Sequence, residues 1–265
     1  MSLVDGEAKA WREPTTKRIR NGRQGKNVVV LTYDHPHRKT EDVLWRLMAA
    51  GKWGELKVVA TPWVERKQRN YIYGHRPAEK HWPCAPMSTP YELCAKLGVS
   101  FRRAEKGNLA GVLADYDIGA VVVGGAGILP KEVVTNHTVL NVHPGLLPAR
   151  RGLDVFKWAI LDCVPVGVTA HICDEHTDLG WRLVEREVPV YREDSLQSFA
   201  MRQYEYELGM IPEALEMVLC NIASTKNDRF DKIHPGETRA FKRMPRKTEA
   251  QLPSAFERYK WVHAS

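Results

Sequence analysis

Cysteine is scarce, five in 265 residues, and Cys84, Cys94, Cys163, Cys173 and Cys220 are scattered. No two stand as Cys-x-x-Cys, so the spacing of a structural zinc site is missing and free thiols in a reducing compartment are expected. Apolar runs long enough to span a bilayer are missing too. The segment 1–26 is polar and basic and has no apolar stretch of the kind a secretory signal carries. These absences point to a cytoplasmic protein with no membrane partner. No internal repeat or low-complexity block interrupts the chain.

What is present is ordinary in amount and informative in order. Hydrophobic residues make up 43% of the chain, enough for a substantial core. The formal net charge is +7, much of it before residue 27 and after Arg229. Basic tails are ordinarily solvated, so this excess favours an anionic partner only weakly. Nucleic acid is therefore not the expected partner.

Short β-branched runs alternate with helical patterns. KNVVVLTYD (26–34), LKVVATPW (56–63), VSFRRA (99–104), IGAVVVGGAGILP (118–130), TVLNVHPGLLP (138–148), VGVTAHICDE (166–175) and LVEREVPV (183–190) read as strands. Helices are expected from about Thr40 to Gly51, over 91–98, over 152–162 and over 195–222, the last broken near Gly209 and Pro212. LPSAFERYKWV, near the C-terminus, has the pattern of a short amphipathic helix anchored by Leu252, Phe256, Tyr259 and Trp261. Residues 64–90 read as a long surface loop. The alternation predicts a Rossmann-like α/β fold, an open, mainly parallel sheet flanked by helices. The expected organisation is a basic N-terminal extension (1–26), a catalytic domain (27–222) and a basic C-terminal appendage (223–265).

Ligands of such sheets sit beyond the carboxyl ends of the strands. Three segments lie there: GGAGILP, NVHPGLLP, and the HTDLG turn at 176–180. Asn141 and His143 stand at i and i+2 of one strand, so they project to the same side. An amide donor beside an imidazole suits polarisation of a carbonyl. Taken alone, a satisfied core Asn and a surface His account for the pair as well. Pro144 and Pro148 stiffen the loop that follows and favour a built site.

NVHPGLLPARRG (141–152), followed some thirty-five residues later by Asp178-Leu179-Gly180, resembles the N10-formyltetrahydrofolate-dependent formyltransferases. The resemblance runs from about Asn27 to Glu216 and is strongest from Val121 to Val190. It implies formyl transfer from N10-formyltetrahydrofolate to an amine, without a metal. It also implies a catalytic set of Asn141, His143 and Asp178, with Gly127, Ile128, Leu129 and Pro130 as the folate-binding loop. Asn141 and a protonated His143 would donate to the formyl oxygen, and Asp178 would orient the imidazole. His176 is a lesser candidate.

The acceptor is narrowed by what the chain lacks beside its relatives. TYDHPHRKTED (32–42) stands where enzymes acting on glycinamide ribonucleotide carry a Gly/Ser/Asn-rich phosphate loop. Forty-three residues follow Ile222, fewer than the barrel domain of methionyl-tRNA formyltransferases. The twenty-six residues before Asn27 are too few for the regulatory domain of formyltetrahydrofolate hydrolases. The pattern is most similar to sugar N-formyltransferases, which act on nucleotide-linked amino sugars for O-antigen and lipopolysaccharide synthesis. GDP-perosamine is the candidate acceptor, and a homodimer is what the resemblance implies for assembly. Arg150 and Arg151, with Arg38, Lys39, Arg66, Lys67 and Arg69, are the expected phosphate contacts, although each fits a solvated face as well. Tyr71, Tyr73, His81 and Trp82 are candidates to stack a nucleobase. The competing expectations are another amine acceptor, such as glycinamide ribonucleotide or methionyl-tRNA, and a non-catalytic folate- or nucleic-acid-binding protein.

Overall fold

The structure is a computed structural model that describes residues 27–63, 88–176, 178–221, 230–234, 236 and 240–264. The first half alternates β1 (Val28–Tyr33), α1 (Arg38–Ala50), β2 (Leu56–Thr61), α2 (Pro90–Leu97), β3 (Ser100–Arg103), α3 (Leu109–Ala114), β4 (Ala120–Val123) and α4 (Lys131–Asn136). The second half runs β5 (Val139–His143), α5 (Val155–Leu161), β6 (Gly167–Cys173), β7 (Gly180–Glu187), α6 (Leu196–Asn221), β8 (Asp231–Ile233), α7 (Arg246–Glu249) and α8 (Leu252–His263). All eight strands join one sheet in the order β3-β2-β1-β4-β5-β6-β7-β8.

The first five strands in that order are parallel, and β6, β7 and β8 are antiparallel to their neighbours. The inner parallel strands β1, β2 and β4 carry the β-branched runs, since helices cover both of their faces, whereas the edge strand β3 is mostly exposed. Strand order reverses between β1 and β4, whose carboxyl ends open the crevice in which such sheets bind ligands. The switch from parallel to antiparallel at β5–β6 puts the carboxyl end of β5 beside the start of β6. Residues from both strands therefore reach one place.

One face of the sheet packs on α1, α2 and α6, through Val43, Leu44, Leu47, Leu208, Ile211 and Leu215. The other face packs on α3 and α4, through Leu109, Val112, Leu113 and Val133. A third cluster joins α5, the start of α6 and α8 through Phe156, Ile160, Phe199, Phe256 and Tyr259. Gly51 ends α1 and Gly98 ends α2, both in the left-handed conformation. A capping box between Thr89 and Glu92 starts α2.

Three sequence expectations change. The long helix α6 is unbroken through Gly209 and Pro212. An internal proline costs a helix about 3 kcal/mol, and burial of Leu208, Met210, Ile211, Ala214, Leu215 and Val218 around it offsets the loss. Trp261 is 83% exposed and anchors nothing, whereas Leu252, Phe256 and Tyr259 are buried. The strand β7 begins at Gly180 rather than 183, because Gly180 still pairs with Cys173. Among the described residues no helix is long and apolar enough to cross a membrane.

Candidate active site

Asn141 and His143 leave β5 on the same side of the sheet. Antiparallel pairing sets His171 opposite Asn141 and Thr169 opposite His143. Asp178 arrives from the β6–β7 turn with φ of 54°. Two residues on, Gly180 has φ of 121°, and a Cβ there would lie 1.9 Å from the Ile172 carbonyl oxygen. The turn that delivers Asp178 thus needs glycine at 180.

His143 is buried. Its Nδ1 lies 3.4 Å from Asp178 Oδ1, and its Nε2 lies 2.7 Å from the Arg150 carbonyl oxygen. Both partners are acceptors, so an imidazolium, which donates from both nitrogens, satisfies both. The other Asp178 oxygen accepts the Gly152 N–H at 2.8 Å. The carboxylate is therefore held from two sides while it faces the ring.

The loop after β5 is braced at several backbone groups. Thr169 Oγ1 accepts the Leu147 N–H at 3.1 Å and lies 2.8 Å from the Gly145 carbonyl oxygen. Gln203 donates to the Pro144 carbonyl and Arg182 to the Leu147 carbonyl. A Cβ on Gly145 would come within 2.5 Å of the Arg150 carbonyl oxygen and 3.1 Å of His143 Nε2. Glycine at 145 is what allows the imidazole and that carbonyl to meet. From the far side, Gly152 forms a bridge with Phe241, and the Phe241 N–H donates to the Arg151 carbonyl at 2.7 Å.

His171 is 1% exposed. Its Nδ1 donates to the Leu179 carbonyl at 3.1 Å, and its Nε2 lies 3.3 Å from Asn141 Nδ2. Burial, and next the charge of His143, push its pKa down to about 4, against the opposing pull of Asp178. Burial also holds the Cys173 thiol up at about 12, inert beside the site.

The segment Gly127, Ile128, Leu129 and Pro130 follows β4, the neighbour of β5. Ile128 is 91% exposed, Leu129 packs on the core and Pro130 caps α4. Arg150 is not a free phosphate contact. Its guanidinium pairs with Asp162 at 2.6 Å and lies 5.0 Å from the Phe241 ring centroid, because its chain turns back along the loop. Arg151 is partly buried. Arg38 pairs with Asp42 at 2.8 Å and Lys39 with buried Glu207. Tyr71, Tyr73, His81, Trp82, Arg66, Lys67 and Arg69 lie outside the described residues. His176 is exposed and leans on Asp174. The aromatic side chains described near the crevice are others. Trp63 stacks on His35 at 4.8 Å and meets the edge of Tyr33 at 5.0 Å, at the carboxyl ends of β1 and β2.

Sequence reading passed over Thr169 and His171. The signal was there: in VTAHIC the polar Thr169 and His171 alternate with Val168, Ala170 and Ile172, so both point to the side opposite the apolar face.

The sequence matches the formyl transferase family over residues 73–215. Among similar proteins is a methionyl-tRNA formyltransferase of Thermodesulfovibrio yellowstonii, 31% identical over 40% of this chain and 36% of the relative. Another is a chloroplastic phosphoribosylglycinamide formyltransferase of Vigna unguiculata, 30% identical over 43% of this chain and 39% of the relative. The match thus spans less than two-fifths of either relative's length. A solved sugar N-formyltransferase from a Shewanella species superposes with a TM-score of 0.51 at 18% identity. That superposition covers 80% of this chain and 74% of the other, a likeness of fold.

Proposed function

Because the chain belongs to the formyl transferase family, we propose that it transfers a formyl group from N10-formyltetrahydrofolate to the amino group of a nucleotide-linked amino sugar. The observation that carries this reading is the convergence of Asn141, His143 and Asp178 on one spot beside the switch-point crevice.

The bound donor supplies an electrophilic formyl carbon. The exposed Ile128 side chain and the main chain of 127–130 offer it an apolar surface with peptide groups alongside, as a planar heterocycle requires. As the amine nitrogen adds to that carbon, negative charge develops on the formyl oxygen. The Asn141 amide donates a hydrogen bond there. His143, with both N–H groups directed at Arg150 and Asp178, contributes its positive charge from a buried position. Asp178 compensates that charge, keeps the ring in place and receives the proton that the amine sheds. Removing one donor to a developing oxyanion typically lowers the rate about 10² to 10³-fold.

On the acceptor side, the Trp63–His35–Tyr33 cluster offers a stacking surface for a nucleobase. The reaction site at the end of β5 is three strands away from β2, roughly 14 Å at ordinary strand spacing. A sugar joined to a base through a diphosphate bridges such a span. GDP-perosamine is the specific acceptor we put forward, with O-antigen and lipopolysaccharide synthesis as the context.

The test is formyl transfer by the purified protein to GDP- and dTDP-linked amino sugars, glycinamide ribonucleotide and methionyl-tRNA. Turnover with a nucleotide amino sugar is expected. Turnover confined to either of the other two acceptors would replace the sugar reading, and the names of the curated relatives make these the second reading.

A further inference from the structure

The Asn141 amide makes one hydrogen bond among the described residues, to His171. A carboxamide has two faces of similar shape, one accepting and one donating, and chain packing alone distinguishes them poorly. Something must decide which face the crevice meets.

We propose that His171 is a positioning residue that fixes the Asn141 amide in the orientation formyl transfer uses. The chain of contacts has a definite sense. The Leu179 carbonyl can only accept, so the proton of a neutral His171 sits on Nδ1. The Nε2 lone pair then faces Asn141 and accepts an N–H from Nδ2. Turning the amide over would set its oxygen against that lone pair, an acceptor against an acceptor in a buried place. One Nδ2–H is thereby used, and the second, with Oδ1, remains for the substrate.

Neutrality is part of the device. His171 is packed between β5 and β7, opposite Arg182 on β7, with His143, Asp178 and Asp174 as further charged neighbours. Burial and the His143 charge keep the proton off Nε2, while the two carboxylates work the other way. A proton on Nε2 would convert it to a donor and demand the amide oxygen. Leu179 adjoins Asp178, so a single turn both presents the carboxylate to His143 and sets the His171 tautomer.

This inference rests on the formyl-transfer reading for its kinetic test and is independent of it for its spectroscopic one. His171→Asn keeps a donor for the Leu179 carbonyl but does not reach Asn141, whereas His171→Gln extends an acceptor to it. We expect His171→Asn to lower kcat about 10²-fold, comparable to loss of the oxyanion donor itself. KM for both substrates should stay within about twofold, and His171→Gln should recover most of the loss. In an Asn141→Ala background, His171→Asn should cost nothing further, because its effect passes through the missing amide. Equal losses in both backgrounds, or no recovery with Gln, would overturn the assignment. Nitrogen NMR of histidine-labelled wild-type protein needs no variant and no turnover. At neutral pH it should show His171 protonated on Nδ1 and bare on Nε2. The opposite tautomer refutes the proposal even if formyl transfer is observed, and the expected one upholds it even if the acceptor is misidentified.

Discussion

Three polar side chains carry the proposed chemistry, and their neighbours decide how each behaves. Asn141→Ala should reduce kcat about 10² to 10³-fold, measured at saturating concentrations of both substrates. Asp178→Asn removes the compensating charge beside His143 and should lower kcat more than it raises either KM, in the same assay. Trp63→Ala is expected to raise KM for the nucleotide sugar while leaving KM for the folate unchanged. The acid behaviour of the fold follows from His171. Its pKa falls from an ordinary 6.5 to about 4 on folding. Between those values the unfolded chain binds more protons, so stability is full above about 6.5 and declines as the pH falls towards 4. The decline should be steeper in wild-type protein than in His171→Gln, as read from melting temperatures across that range. At this scale Asn141, His143 and Asp178 came into view through the resemblance of NVHPGLLPARRG and Asp178-Leu179-Gly180 to a known family, since Asn141 and His143 alone fit a core Asn and a surface His as well. The sequence hid His171 and Thr169, which become neighbours of the first pair only through antiparallel pairing of β5 with β6. No spacing along the chain shows that pairing.

Elements rather than residues explain why the trio meets. The inner parallel strands β1, β2 and β4 were readable because burial on both faces requires apolar runs. The direction of β6 was not, since a short connection and α5 leave either direction open to a reader of the sequence. Glycines at 145, 152 and 180 mark where the elements come closest. Gly180→Ala should block the turn by collision with the Ile172 carbonyl and abolish both β6–β7 closure and activity, checked by circular dichroism and turnover. Helix α6 shows why a proline is an uncertain punctuation mark. Apolar contact on both sides of Pro212 holds a helix that local propensity alone would break. The basic side chains expected to meet phosphate at Arg38, Lys39 and Arg150 are engaged in ion pairs that the sequence did not reveal. Each has an acidic partner close by, in Asp42, Glu207 and Asp162, and two of these partners are far away in sequence or on another element.

At the scale of the whole molecule, the C-terminal segment is part of the body. Helix α8 buries Leu252, Ala255, Phe256 and Tyr259 against α5 and the start of α6. The Tyr259 hydroxyl accepts the Val166 N–H at 3.1 Å, and Lys157 pairs with Glu249 in a buried ion pair. Glu249→Gln removes the nearer carboxylate beside the buried Lys157 ammonium and leaves Asp154 at 3.8 Å. It should destabilise the fold by about 3 kcal/mol, the lower end for breaking a buried pair, in urea unfolding. The amphipathic pattern of 252–262 was legible. Its docking site was not, because α5 and α8 are some ninety residues apart in sequence.

The bridge between Gly152 and Phe241 gives this arrangement a direction in time. A ribosome that has made His143 must add roughly a hundred more residues before Phe241 exists. Until then the loop that offers Arg150 to the imidazole and Gly152 to Asp178 lacks the backbone bridge to Phe241. The nascent polypeptide therefore carries His143 and Asp178 long before it can hold them in place, and the proposed turnover should begin only when translation has delivered the last of the packing.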